Sequence, residues 1–307
     1  MRALIVTNMY PSAARPALGS FIRDQVDALR RIGGVDVDVF SFAPGGFAAY
    51  AKGAAELRRR HRGDRFDVVH AHFGLTAWPA FAARGAVHAV TLHGTDLAHP
   101  RSRAITTTAL PFLDLVAAVS GSLASAIPKK AVRGRTAVLP IGVDTRRFRP
   151  IPRREARADL GLATDGRYLL FGADPRRPEK RYDRALAVAG GVPLLTLGDI
   201  EPQKVPLYVN AANAVLVTSE REGFGLAVLE ALACDVPVLA TPVGIAPEAF
   251  EGVAGAHAAP FDEDAWRIAL TPHLEADDPR IDGRARAEAF STDRMAETVV
   301  AAWRSLL

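Results

Sequence analysis

Seven short, almost wholly apolar runs constrain what this chain can become: residues 3–7 (ALIVT), 66–70 (FDVVH), 87–92 (VHAVTL), 114–120 (DLVAAVS), 168–171 (YLLF), 193–198 (PLLTLG) and 214–218 (AVLVT). Runs this short and this apolar read as strands buried on both faces, as in a parallel sheet covered by helices. After the first run, a loop through Pro11, Pro16 and Gly19 leads to a helix predicted from Ser20, with Ile22, Val26 and Leu29 on one face. Strand, glycine-bearing loop and helix form the opening βα unit of a doubly wound α/β sheet. Ligands of such sheets sit beyond the carboxyl ends of the strands.

A chain of 307 residues has room for two domains of about 150 residues, each large enough to bury a core. Pro150 and Pro152 make a plausible linker, so the expected division is 1–150 and 151 onward. A content of 49% hydrophobic and 23% charged residues is that of a soluble globular protein. The single cysteine, Cys234, excludes an internal disulfide framework and fits a reducing compartment; within its apolar run it reads as a small buried hydrophobe. No apolar stretch approaches the roughly 18 residues of a membrane span, and the first run is too short for a secretory core. A cytoplasmic location is expected.

Charge is uneven. Residues 1–150 carry 21 Lys and Arg against 10 Asp and Glu, and the remainder 17 against 24. A basic half could face nucleic acid, an anionic membrane or an anionic acceptor. Neither a nucleic-acid motif nor interleaved aromatics accompany it, which leaves no nucleic-acid partner and favours the membrane surface. The stretch 47–62 sets Arg58, Arg59, Arg60 and Arg62 beside Phe47, Tyr50 and Leu57. It fits a helix lying on an anionic bilayer or a solvated helix covering the sheet.

The stretch 219–230 (SEREGFGLAVLE) joins the run 214–218 to a helix-forming segment, 226–233. Glu222 and Glu230 are eight apart and share a face if the helix begins near Glu222. The intervening Gly223-Phe224-Gly225 allows close backbone approach, and a helix N-terminus there offers N–H groups to an anion. Carboxylates beside an anion cradle suit a ligand with both hydroxyls and phosphates, such as a nucleotide sugar. Two glutamates on a helix are, taken alone, more often solvated surface. The loop 172–181 adds Arg176, Arg177 and Lys180, a fork and a point charge able to clamp a diphosphate. Gly19 is a candidate for close approach to the same diphosphate, or a turn glycine.

Two other patterns suggest metal chemistry. His70, His72, His93 and Asp96 could be ligands, although no third ligand is fixed by spacing. Asp36-Val-Asp38 spells a D-x-D motif, but it alternates with Val35, Val37 and Val39 at the start of a strand, so a strand edge is expected. Ser120 or Ser122 should cap a helix.

Glu222-Gly-Phe-Gly, Glu230-Ala-Leu-Ala, the stretch 236–244 (VPVLATPVG) and Glu248 together resemble the donor-site signature of the family-4 retaining glycosyltransferases. Asp235 and Ile245 stand where that family often has glycine. Residues 91–96 (TLHGTD) resemble the loop the family places against acceptor and donor sugar. Residues 139–150 resemble its segment crossing between domains, with Ile141 for the usual asparagine, and 208–213 resemble the short helix before its donor strand.

The resemblance implies the GT-B fold: two Rossmann-like domains facing a central cleft. Residues 1–150 would form the acceptor side, with helix 293–307 packing back on it, and 151–292 would bind the nucleotide sugar. It implies that Glu222 contacts the donor sugar and Glu230 the ribose, with Gly223, Phe224, Gly225 and Leu226 around them. Lys180 with Arg176 or Arg177 would neutralise the leaving diphosphate. His93 would be the active-site imidazole, its near-neutral pKa suited to proton transfer, and Asp96 would orient the acceptor. The implied reaction moves a sugar, with retention and without a metal or other cofactor, to a hydroxyl of a glycan, lipid-linked or polysaccharide acceptor; with the basic first half, a peripheral place on the inner face of the membrane is expected. Alternatives are a nucleotide-sugar 2-epimerase on the same fold, a metal-dependent hydrolase using His70, His72, His93 and Asp96, and a silent sugar-binding subunit.

Overall fold

The first apolar run forms strand β1 (Arg2–Thr7), which pairs in parallel with β2 (Asp36–Ser41) on one side and β3 (Phe66–His72) on the other. In the computed structural model, which describes residues 1–198 and 200–307, β4 (Gly85–Leu92), β5 (Leu115–Ala118) and β6 (Arg135–Val138) complete a parallel sheet of order β2-β1-β3-β4-β5-β6. Alternation decides what each face of β1 meets. Ala3 and Ile5 pack with Ile22, Val26 and Leu29 of helix Ser20–Ile32, and with Met295, Val299 and Trp303 of helix Thr292–Arg304. Leu4 and Val6 pack with Phe40, Leu57 and Val90 on the other face. Each fully buried aliphatic side chain contributes about 1.5–3 kcal/mol.

The second sheet holds β7 (Leu169–Phe171), β8 (Leu194–Thr196), β9 (Ala214–Val217), β10 (Val238–Ala240) and β11 (Ala256–Ala258), all parallel, in the order β11-β10-β9-β7-β8. Trp266 and Leu270 of helix Glu263–Glu275 cover Leu169, Phe171 and Leu216. The chain divides into two compact units, Met1–Gly142 with Thr292–Leu307, and Val143–Ser291. The division falls ahead of Pro150 because Val143 already belongs to the second unit: it bridges to Ser291, and its N–H donates to the Phe290 carbonyl at 2.9 Å.

Both sheets have a point where strand order reverses, β1 against β3 in the first and β7 against β9 in the second. The loops leaving the carboxyl ends of such strands diverge and open a crevice. These are the loops that carry the charged residues singled out above.

The smaller expectations resolve locally. Asp38 accepts from Arg2 at 2.7 Å on strand β2 while Asp36 is exposed, so the D-x-D pair is a strand edge. Ser120 caps its helix, accepting from the Leu123 N–H at 3.3 Å. Cys234 is buried and its thiol is pushed up to about 12 by burial. Among the described residues no helix is long and apolar enough to cross a membrane.

Candidate functional site

In the second unit, two loops at the switch point are stitched together. The loop after β7 ends in a 3-10 turn, Pro178–Lys180, followed by Arg181 in the left-handed region at φ 57°. That conformation is costly for a non-glycine residue and turns the carbonyls of Lys180 and Arg181 toward Thr218, whose Oγ1 donates to them at 3.1 and 2.8 Å. The Glu220 N–H donates to the Glu179 carbonyl at 3.0 Å.

Lys180 and Glu222 meet across this seam. Nζ of Lys180 lies 2.6 Å from both carboxylate oxygens of Glu222, and the Ser219 hydroxyl donates to Oε1 at 2.7 Å. Their side chains are 12% and 9% exposed, so the pair is sheltered but reachable. Gly244 (φ 62°) lies against the loop: a Cβ there would collide with the Phe224 carbonyl and stand 2.8 Å from the Cβ of Glu222. The Ile245 N–H donates to the Phe224 carbonyl at 2.7 Å, so this position serves the loop itself.

The helix after Glu222 begins at Leu226, not near Glu222. Gly225, left-handed at φ 94°, sets the helix start, so Glu222 stands on the loop and is aimed by Ser219 and Lys180 instead of by helical periodicity. Glu230, half-buried, lies within helix Leu226–Ala233. Phe224 is buried, and Gly223, Gly225 and Leu226 are partly exposed around the helix start, where the first N–H groups have no intrahelical acceptor. Asp235, where glycine is common in the family resembled, is itself left-handed at φ 55°; its carboxylate accepts from the N–H groups of Gly283 and Arg284 at 3.0 and 2.7 Å. Aspartate tolerates that conformation and adds a cap.

Arg176 and Arg177 do not join Lys180. The first forks onto Asp174 and the Gly198 carbonyl, the second onto Glu179, and both are exposed. The Arg177 guanidinium is thus engaged within its own loop, and that of Arg176 by its own loop and by the turn after β8.

In the first unit, Gly19 (φ 66°) caps helix Ser20–Ile32, and a Cβ there would strike the Met9 carbonyl. Its own chain accounts for the glycine. His70, His72 and His93 form a stack, with ring centroids 5.0 and 5.3 Å apart. Trp303 Nε1–H donates to His70 Nδ1 at 3.0 Å, so His70 carries its proton on Nε2, 2.8 Å from Thr91 Oγ1. Nδ1 of His72 and Nε2 of His93 are 3.1 Å apart. Asp96 is buried and accepts from the backbone N–H groups of Gly74, Gly94 (3.0 Å) and His93 (2.6 Å).

One expectation is corrected here. Burial drives all three imidazoles below their ordinary range, His72 to about 4, with His72 lowering His93 further. For His93 this favours the neutral imidazole over one poised near pH 7, because burial and then the neighbouring His72 both disfavour its charged form. The alternative metal reading draws no support from the hydrogen bonding. Both ring nitrogens of His70 are engaged and Asp96 is spent on backbone N–H groups, and among the described residues no group of three or more His, Cys, Asp or Glu could hold a metal ion.

Sequence reasoning gave no role to Ser219, Thr218, Arg181 or Gly244. All four lie in stretches singled out above, but the contacts of Ser219, Thr218 and Arg181 depend on which loops the sheet order brings together.

Two doubly wound parallel units, with a Lys–Glu pair at the switch point of the second, have the GT-B fold of sugar-nucleotide enzymes. Residues 16–147 match the model of Glycosyltransferase Family 4, and residues 156–287 that of Glycosyl transferases group 1. A D-inositol 3-phosphate glycosyltransferase of Actinosynnema mirum is 30% identical over 334 residues, covering 85% of this chain and 77% of that protein. Among solved structures, sucrose-phosphate synthase from Thermosynechococcus elongatus superposes with TM-score 0.76 at 19% identity, covering 100% of this chain and 99% of that one. Anabaena HepE in complex with UDP-glucose gives 0.73 at 19%, covering 99% and 100%. The chain belongs to the family-4 glycosyltransferases.

Proposed function

We propose that this glycosyltransferase takes a sugar from a nucleoside diphosphate donor and joins it, with retention at the anomeric carbon, to a hydroxyl of a glycan, lipid-linked or polysaccharide acceptor. The observation that carries the reading is the Lys180–Glu222 pair, closed at 2.6 Å between the two loops of the second unit's switch point. The donor's diphosphate would draw Lys180 toward its developing charge and release Glu222 for the hydroxyls of the sugar. Glu230 would hold the ribose. In this reading Lys180 supplies the positive charge at the leaving group and no cofactor takes part. His93, held neutral, would accept a hydrogen bond from the reacting hydroxyl in the first unit.

The basic first half supports docking at an anionic, cytoplasmic membrane face, in the assembly of a polysaccharide or glycolipid. The acceptor named for the curated relatives, an inositol phosphate, is the small polar alternative. Thermal-shift screening against a panel of nucleotide sugars tests the donor assignment, because a ligand that binds the folded state stabilises it. The responding donor should lose its effect in Glu230→Ala; an unchanged shift would rule out the ribose role. Incubation of that donor alone, followed by NMR of the sugar, separates transfer from 2-epimerisation.

A further inference from the structure

The first unit contains a cavity of about 590 Å³ that the donor chemistry does not use. Its walls are Phe47, Tyr50, Leu75, Trp78 and Ile105, and its one charged lining residue is Arg101. The volume falls within the range of small-molecule sites, roughly 300–1,000 Å³. Phe47 (89%), Ile105 (46%) and Trp78 (42%) are large apolar side chains left open to solvent. Together they form the kind of contiguous patch that marks an interaction site.

The walls are fixed. The Asn8 side-chain amide donates to Tyr50 Oη at 2.9 Å, and the Trp78 indole N–H donates to the Ile105 carbonyl at 3.4 Å. Helix Pro100–Ala109, which carries Arg101 and Ile105, seats Thr106 so closely on Gly74 that a Cβ at Gly74 would overlap it. Leu75 follows on the same turn. Asp96 then accepts from the N–H groups of both Gly74 and His93, so a single buried carboxylate ties a wall of the cavity to the loop bearing the imidazole.

From this geometry we infer that the cavity is the acceptor's apolar subsite, occupied by the hydrocarbon chain of an amphiphilic acceptor whose anionic group meets Arg101. This rests on the transferase reading above and narrows its acceptor to the lipid-linked class. Among the described residues Arg101 has no ion-pair partner, so at the rim of these apolar walls its charge is open to an anion. A small polar phosphate could satisfy Arg101 but would leave the apolar walls wet. A chain with a phosphate at one end satisfies both.

The protein carries its own reporter. Of its three tryptophans, Trp266 and Trp303 are fully buried and only Trp78 is open. Titration with dodecyl phosphate below its micelle concentration should shift the emission of Trp78 to shorter wavelength and saturate, and Trp78→Phe should abolish the shift. Arg101→Gln should weaken binding about tenfold, as loss of a hydrogen bond to a charged group does. Ile105→Asp or Phe47→Asp, both at exposed positions that tolerate exchange, should weaken it by about tenfold or more.

Inorganic phosphate should neither shift the emission nor compete at equal concentration. If it competes fully and Ile105→Asp binds like the parent, the subsite is polar and the inference falls. If only anionic vesicles shift the emission and the monomeric amphiphile does not, the patch is a membrane-contact face and the inference also falls. Donor stabilisation through Glu230 is read separately, in the second unit. A donor response without dodecyl phosphate binding overturns the subsite alone; dodecyl phosphate binding with no donor response from the panel overturns the donor reading, and with it the cavity's role for an acceptor, while the amphiphile site itself stands.

Discussion

Lys180→Met tests the centre of the site. The substitution keeps the length of the side chain and removes its charge, leaving the Glu222 carboxylate, 9% exposed, with the Ser219 hydroxyl as its hydrogen-bond donor. Removing one member of a sheltered ion pair costs about 3–5 kcal/mol when the pair is fully buried. Because both side chains here retain some exposure, the lower end, about 3 kcal/mol, is expected. For a chain of this size that lowers Tm by about 6–12 °C, at about 2–4 °C per kcal/mol. Glu222→Leu should destabilise comparably by stranding the ammonium. The double variant, with neither charge left, should lose less than the two singles added together, by about 2 kcal/mol. Urea denaturation followed by circular dichroism supplies all four corners of this cycle. Additivity within about 0.5 kcal/mol would mean that the two groups do not sense one another, and the central contact of the site would be refuted. None of the three variants should retain the donor's thermal shift.

Other consequences are equally direct. Gly244→Ala, with its Cβ driven into the Phe224 carbonyl at a left-handed φ, should displace the Glu222 loop, destabilise by about 1–3 kcal/mol and reduce the donor shift; a variant that binds donor like the parent would contradict the packing described. Trp303→Phe preserves the aromatic body but leaves His70 Nδ1 unpaired, and should cost about 1–3 kcal/mol in urea denaturation. Stability should also depend on pH between about 6.5 and 4. Folded His72 titrates near 4 and its unfolded counterpart near 6.5, so the unfolded chain binds more protons in that interval. The contribution, of order 3 kcal/mol, is fully present above pH 6.5 and is lost as pH falls to about 4. His72→Gln should make that stretch of the profile shallower, leaving the part due to His70 and His93, which burial also lowers; an unchanged slope would locate the titration elsewhere.

Much of the fold was legible because buried parallel strands leave a plain record. All seven apolar runs became strands, and Ile22, Val26 and Leu29 face the core as their spacing requires. The strands that gave the weakest signals were β6 and β11, whose Arg135-Thr-Ala-Val138 and Ala256-His-Ala258 are edge strands, half-exposed and too mixed to stand out. At the site, residue identity was readable and geometry was not. Glu222 and Lys180 are 42 positions apart and meet because β9 lies beside β7, which no local pattern encodes. The same is true of Trp303 and His70, separated by 233 positions. Arg176 and Arg177 read as a clamp in the sequence, but the carboxylates that engage them, Asp174 and Glu179, lie two residues away.

Trp303 also bears on how the polypeptide matures on the ribosome. The indole that completes one face of the first unit is translated only after the whole of Val143–Ser291. A nascent chain that has emerged as far as Gly142 therefore presents Ile22, Val26 and Leu29 without their cover. The middle of the polypeptide can reach its final form while the beginning waits. A late-arriving helix thus keeps an early-made face open for as long as Val143–Ser291 takes to be translated, and lengthens its exposure to chaperones and proteases.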